Sequence, residues 1–195
     1  MKSTVGSVVA ISFGLAISAY ASMSRLSIER ESFEGGVRGP SDETARYVTV
    51  DLPYDPFRRL TESLETLEGI KLKTRGEAHI TLITPPEFDV LSKHLAESEI
   101  RHAFDAVALR PAEPICVGRG HVGAAKTYYV VVKLASALKV RELLAKKFKA
   151  RGGDLAQFKA AVFYPHVTLG FTDRDLHIQD GVVKDAKSCV HRFAP

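Results

Sequence analysis

Two segments of the 195-residue chain carry a histidine two positions ahead of a threonine: Ala78-His79-Ile80-Thr81-Leu82 and Tyr164-Pro165-His166-Val167-Thr168-Leu169-Gly170. The histidines stand 87 positions apart (166 minus 79), one in each half of the chain. An imidazole titrates at about 6.5, so near neutral pH one ring can accept a proton while a second donates one. Threonine hydroxyls donate hydrogen bonds to anionic oxygens and stabilise charge that grows on them. Two such pairs around one ligand suit hydrolysis of a strained phosphodiester. One histidine activates water, the other protonates the leaving ribose oxygen, and no metal is required. Which ring plays which part is open at this level. The metal alternative has less behind it, since there is no His-Glu-x-x-His and no Cys/His cluster at ligand spacing. No cofactor is expected.

Both segments read as strands. Pro165 fits a strand's first residue or edge, Val167 and Leu169 are apolar, and Gly170 ends the run. Side chains alternate along a strand, so His166 and Thr168 share one face while Val167 and Leu169 turn to the core. The same holds for His79 and Thr81 around Ile80.

The elements around them follow from periodicity. Tyr47 to Val50 reads as a first strand. Asp55-Pro56 opens a helix with Phe57, Leu60, Leu64 and Leu67 on one face, closed by Gly69. Helices are expected over 88–96 and after Ser98. Pro114 to Val117 and Thr127 to Leu134 suit a hairpin turning through Gly118 to Gly123. A helix with Ala137, Val140, Leu143, Leu144 and Phe148 inward ends at Gly152-Gly153, and Val182 to Phe193 supplies a last strand or two. Each half thus offers strands, helix material and one His-x-Thr strand, which suggests a duplicated α+β lobe.

The paired His-Ile-Thr-Leu and Pro-His-Val-Thr-Leu-Gly segments resemble the two-histidine (2H) phosphoesterase superfamily, which includes 2′-5′ RNA ligase-like and cyclic phosphodiesterase proteins. The resemblance covers 44–195 in layout and is specific at the two motifs. It implies a bilobal α+β fold, two antiparallel-sheet lobes flanking a central groove with helices outside. It also implies His79 and His166 as the catalytic pair, and Thr81 and Thr168 as the phosphate-binding hydroxyls. The implied substrate is a 2′,3′-cyclic phosphate on a nucleotide or RNA end, and the protein is expected to act as a monomer. A non-catalytic RNA- or nucleotide-binding module, and a phosphoesterase acting on a non-RNA cyclic phosphate, are the rival readings.

Other residues carry weaker signals. Tyr164 shares the His166 face and is placed to stack on a base, or to sit at the rim of the core. Tyr128 and Tyr129 adjoin in a strand, so one is expected to face out, and Tyr128 is a second stacking candidate. Lys71, Lys73 and Arg75 read as a charged edge, and Lys146, Lys147, Lys149 and Arg151 as the wet face of a helix. His94, His102, His177 and His191 have no partner pattern and are expected at the surface.

Composition sets the frame. With 45% hydrophobic and 26% charged residues the chain is ordinary globular material for one domain, and a net charge of +4 permits a polyanionic ligand without demanding one. Lys2, the uncharged run from Val5 to Ala19 and the small-x-small Ala19-Tyr20-Ala21 read as a secretory signal peptide over 1–21. A retained membrane anchor or organelle-targeting segment is the alternative. Residues 22–43 are polar and carry Gly35-Gly36 and Gly39-Pro40, the mark of a flexible lead-in to a domain over 44–195. The expected destination is the secretory pathway or the exterior, without stable membrane association after cleavage. An oxidising route permits a Cys116–Cys189 disulfide, and two buried free thiols fit the sequence as well.

Overall fold

The alternation seen in the two histidine strands runs through a seven-stranded antiparallel sheet. A computed structural model describes residues 26–38, 46–105 and 110–194. Its strands are β1 (Gly36–Arg38), β2 (Val48–Leu52), β3 (Ala78–Ile83), β4 (Glu113–Val122), β5 (Ala125–Lys133), β6 (His166–Phe171) and β7 (Cys189–His191). They lie in the order β1-β2-β3-β6-β5-β4-β7, which puts both histidine strands at the centre. Two sheets were expected and one is found. Its halves meet where β3 pairs β6 through Ile80 and Val167, a join that hides two apolar side chains and two strand edges together.

Val50, Ile80, Val130 and Val167 turn to a single core shared with the helices α1 (Tyr54–Glu68), α2 (Pro85–Leu91), α3 (Glu97–Arg101) and α4 (Ala135–Ala150). Phe57, Leu60 and Leu64 of α1 are buried as their spacing predicts, and Gly69 ends the helix with a left-handed φ of 64°. Leu67 and Leu143, expected inward, are exposed. Each neighbours positions already committed to the core, and a helix of 3.6 residues per turn cannot bury them all. The lysines at 146, 147 and 149 do face solvent.

Arg141 of α4 does not. It is 1% exposed, donating to the Leu82 carbonyl at 2.7 Å and to Glu87 at 2.6 Å. Glu87 in turn accepts from the Thr84 backbone N–H at 2.9 Å, at the start of α2. A buried guanidinium must be fully paired, and here its partners fasten α4 to the far end of β3. The histidine strand is thereby held from behind.

Three expectations change. The described part of the lead-in is folded: Leu26 and Phe33 are each 2% exposed, Phe33 packs edge-on to Phe57, and β1 pairs β2. Two isolated apolar anchors give no periodicity to read, yet they complete the core. The hairpin is longer than expected, with β4 and β5 running up to a tight turn at Gly123. The last strand shrinks to three residues, because residues 172–188 form an irregular segment before it. The expected signal segment lies outside the described residues. Among the described residues no helix is long and apolar enough to cross a membrane.

Candidate active site

The β3–β6 register assembles the four motif side chains. Ile80 opposes Val167, both fully buried toward the helices. One residue further in each direction, His79 falls across from Thr168 and Thr81 across from His166. All four side chains therefore share the opposite face as a two-by-two array with the imidazoles on one diagonal. Directly opposed Cβ atoms in such a pair lie about 4.5–5.5 Å apart and diagonal neighbours about 7–8 Å, the span of one phosphoryl group between two rings. All four are half-buried. Gly170 lets β6 lie against the preceding segment: a Cβ there would stand 2.8 Å from the Lys73 carbonyl oxygen, and Lys73 and Phe171 exchange backbone hydrogen bonds at 2.8 and 3.0 Å. Lys73 thus pairs through its backbone while its side chain stays exposed, as a charged edge would.

The two rings have different neighbours. The Nδ1 of His166 lies 2.7 Å from the Tyr164 carbonyl oxygen. A carbonyl only accepts, so the bond puts the ring proton on Nδ1 and leaves the Nε2 lone pair free. Tyr129, across from Thr168, meets the His166 ring edge-on at 5.7 Å between centroids. Crowding by protein, reinforced by the nearby Lys184 ammonium, pushes the His166 imidazole down to about 3. His79 instead faces carboxylates. A Glu77 oxygen lies 3.5 Å from its Nδ1, and Asp51 is its partner in the β2–β3 register. Thr49, partner of Thr81, donates to Asp51 at 3.0 Å.

A buried ionic hub adjoins the array. Asp175, 8% exposed, accepts from Thr127 Oγ1 at 2.8 Å, from Lys184 Nζ at 3.0 Å and from Arg75 at 3.2 Å. The Thr168 hydroxyl donates to it over a long 3.4 Å. Burial opposes the Asp175 charge, but the Lys184 ammonium and these hydrogen bonds hold its carboxyl below the ordinary range. Lys184 is 4% exposed, its Nζ lies 5.2 Å from the Tyr129 ring centroid, and burial lowers it from the usual lysine range. His177 is exposed, as expected, and its ring reaches to 3.9 Å from Asp175.

The two tyrosine candidates fare differently. Tyr164 contributes its carbonyl to His166 and lines an adjoining cleft of about 340 Å³ with Val131, Leu138, Phe163, Pro165 and Lys184. Tyr128 is not at the site. It is fully buried on the helix face, where its hydroxyl donates to Glu68 of α1 at 3.0 Å. Neither Tyr128 nor Tyr129 faces solvent, because β5 lies inside the sheet and is covered on both faces. His191, also expected at the surface, bonds Glu68 at 2.6 Å in the same cluster.

Cys116 and Cys189 form a disulfide with Cα atoms 5.7 Å apart. Pairing of Gly118 with Cys189 brings β7 alongside β4. Gly118 is needed there, since a Cβ would stand 2.5 Å from the Tyr129 ring. With Tyr129 and Val131 the bridge forms a small second core on the site face, next to His166. Another cavity, about 270 Å³ between Phe33, Val50, Ile80 and Ala112, lies behind the sheet and shares no motif side chain with the array. Among the described residues no group of three or more His, Cys, Asp or Glu is arranged to hold a metal ion.

Residues 46–177 match the family described as "Swiss Army Knife, 2H phosphoesterase domain", a span that contains both His-x-Thr strands and ends at His177. The chain matches no curated protein and no solved structure.

Proposed function

The chain belongs to the 2H phosphoesterase superfamily, whose members act on phosphodiester bonds, and from that premise we propose that it hydrolyses a 2′,3′-cyclic phosphate of a nucleotide or short RNA end without a metal ion. The observation that carries this reading is the Ile80–Val167 register, which sets two imidazoles diagonally about a space flanked by two hydroxyls. In this reading Nε2 of His166 takes a proton from water as the water oxygen bonds to phosphorus. The P–O bond to one ribose oxygen breaks, and His79 gives that oxygen its proton. Thr81 and Thr168 donate to the non-bridging oxygens, Thr168 exchanging its long bond to Asp175 for one to the phosphate. Solvent then returns the proton balance between the rings. The cleft that Tyr164 and Pro165 line, next in sequence to His166, is the space assigned in this reading to the rest of the substrate.

Two further points belong to the same proposal. Each half of the chain runs strand, helix, antiparallel neighbour strand (β2-α1-β3 and β5-α4-β6), an arrangement that supports two duplicated lobes fused through one sheet. The disulfide supports a route through an oxidising compartment, as the signal-like residues 1–21 suggest.

The test is hydrolysis of 2′,3′-cyclic nucleoside monophosphates and cyclic-phosphate-ended oligonucleotides by protein lacking residues 1–21, with chelator present. Turnover that survives chelation and is lost in both His79→Ala and His166→Ala supports the proposal. Binding of these ligands without turnover, unaffected by loss of either histidine, selects the non-catalytic module instead.

A further inference from the structure

Of the two cations bonded to Asp175, one has donors to spare. Lys184 is enclosed, its side chain 3% exposed, and its ammonium donates to Asp175 Oδ1 at 3.0 Å. Arg75 donates from Nη2 to Asp175 Oδ2 at 3.2 Å, yet its side chain is 44% exposed and its other N–H groups meet no acceptor among the described residues. A guanidinium carries five donors in a fixed fork, so most of this one is unused. Two cations on one carboxylate also leave the trio with net positive charge. The neighbouring acids are engaged elsewhere: Asp173 lies 3.9 Å from Lys73, Asp180 is held by Arg174 at 2.6 Å, and Glu77 faces His79 at 3.5 Å.

Arg75 is built into its place. It belongs to the short link between Lys73, which pairs Phe171 through two backbone hydrogen bonds, and the start of β3 at Ala78. Gly76 turns that link with a left-handed φ of 72°, and the Thr74 hydroxyl lies 3.3 Å from that of Tyr54. The Asp175 oxygen that accepts from Arg75 also accepts from Thr168, at 3.4 Å. Since Thr168 falls across from His79, the guanidinium stands at the His79 end of the array. The cleft that Tyr164 and Pro165 line is at the other end, where the chain enters β6 at His166.

We propose that Arg75 binds a second phosphate of the substrate, the one on the 5′ oxygen of the ribose whose 2′,3′-cyclic phosphate lies in the array. This rests on the cyclic-phosphate reading above and narrows it to nucleotides with a phosphorylated 5′ oxygen, as at the last residue of an RNA chain. The reacting phosphoryl is already served, with a threonine hydroxyl for each non-bridging oxygen and the imidazoles for proton transfer. Base and 5′ carbon leave a ribose from opposite ends, so a base in the Tyr164 cleft sends the 5′ oxygen toward Arg75. A guanidinium meets a phosphate there through paired, charge-assisted hydrogen bonds.

The experiment measures, by calorimetry, binding of adenosine 3′-monophosphate and adenosine 3′,5′-bisphosphate to the disulfide-intact protein. The wild type is expected to hold the bisphosphate about tenfold or more tightly at low salt, with the gap narrowing at high salt. Arg75→Gln brings the two affinities together, and Arg75→Lys keeps part of the difference. Lys71→Gln, which removes an equal charge from a side chain 90% exposed in the same stretch, keeps it whole. The readout is a ratio, so general damage to the hub or the fold, which weakens both ligands alike, does not imitate the effect.

Equal affinity of the wild type for the two ligands overturns the proposal, as does no measurable binding of the bisphosphate. So does a preference that survives in Arg75→Gln or is lost equally in Lys71→Gln. Binding needs no turnover. The expected ratios in a protein that hydrolyses no cyclic phosphate would sink the catalytic reading and leave this subsite standing, and turnover without the preference would do the reverse.

Discussion

The two His-x-Thr strands carry the same side chains and sit in opposite electrostatic settings. The β3 histidine faces Glu77 at 3.5 Å and is the register partner of Asp51. The β6 histidine is half-buried, edge-on to Tyr129, with its Nδ1 on the Tyr164 carbonyl. A motif that looks symmetric in sequence therefore meets two different surroundings, set by residues outside it. Similar active-site strands can be made functionally distinct by their neighbours.

The largest effect that would break this comparison is loss of either ring. His79→Ala and His166→Ala are each expected to lower kcat by about 10²–10⁴-fold with the fold intact, measured on a cyclic nucleotide and checked by circular dichroism. Equal residual activity in both variants and the wild type would remove the comparison altogether. Next come the hydroxyls. Thr81→Val and Thr168→Val are each expected to cost roughly 10²-fold in kcat, as loss of one oxyanion donor does elsewhere. The Thr168 change should be felt also at Asp175, which loses one of its donors.

Opening the disulfide sharpens the comparison from the stability side. Cys116→Ala with Cys189→Ala frees β7 from β4 across a separation of 73 residues, and a loss of about 4 kcal/mol in denaturant unfolding is expected from loop closure. Acid adds a second stability effect. The His166 imidazole is held down to about 3, so the unfolded chain binds a proton below pH ~6.5 that the folded chain refuses. Stability contributed by the neutral ring is whole above that value and falls as pH drops toward 3, at up to about 1.4 kcal/mol per unit. His166→Gln should flatten that part of the stability curve in urea melts taken at several pH values. The smallest effect is Glu77→Gln. Its carboxylate is 59% exposed, and solvent-screened pairs contribute about 0–1 kcal/mol, so kcat/KM should change by no more than about fivefold.

The centre of the molecule was legible in the sequence because strand alternation is a strong constraint. Once Val167 and Ile80 are core residues, His166, Thr168, His79 and Thr81 must share the other face, and the structure places them there. Tyr128 was misplaced for a related reason. Alternation separates it from Tyr129 but does not say which of two adjacent tyrosines meets the site, and a central strand covered on both faces buries both. Residues 26–38 misled because Leu26 and Phe33 are single anchors in a polar stretch. The hub around Asp175 had no signal at all. Asp175 and Lys184 lie nine positions apart in an irregular segment, and only the tertiary fold brings Thr127, Arg75 and Thr168 to them. The cysteine pair was readable as a possibility, and it took the β4–β7 register to bring the two sulfurs together.

The pH dependence of kcat/KM for the wild-type protein on a 2′,3′-cyclic nucleoside monophosphate tests the division of labour most directly. If His166 is the neutral acceptor and His79 the protonated donor, activity falls on the alkaline side as the donor loses its proton. It persists into acid well below pH 6, with no acid limb near the ordinary histidine value. An acid limb at about 6.5 would mean that the acceptor titrates as a free imidazole, and the asymmetry between the two strands would be contradicted.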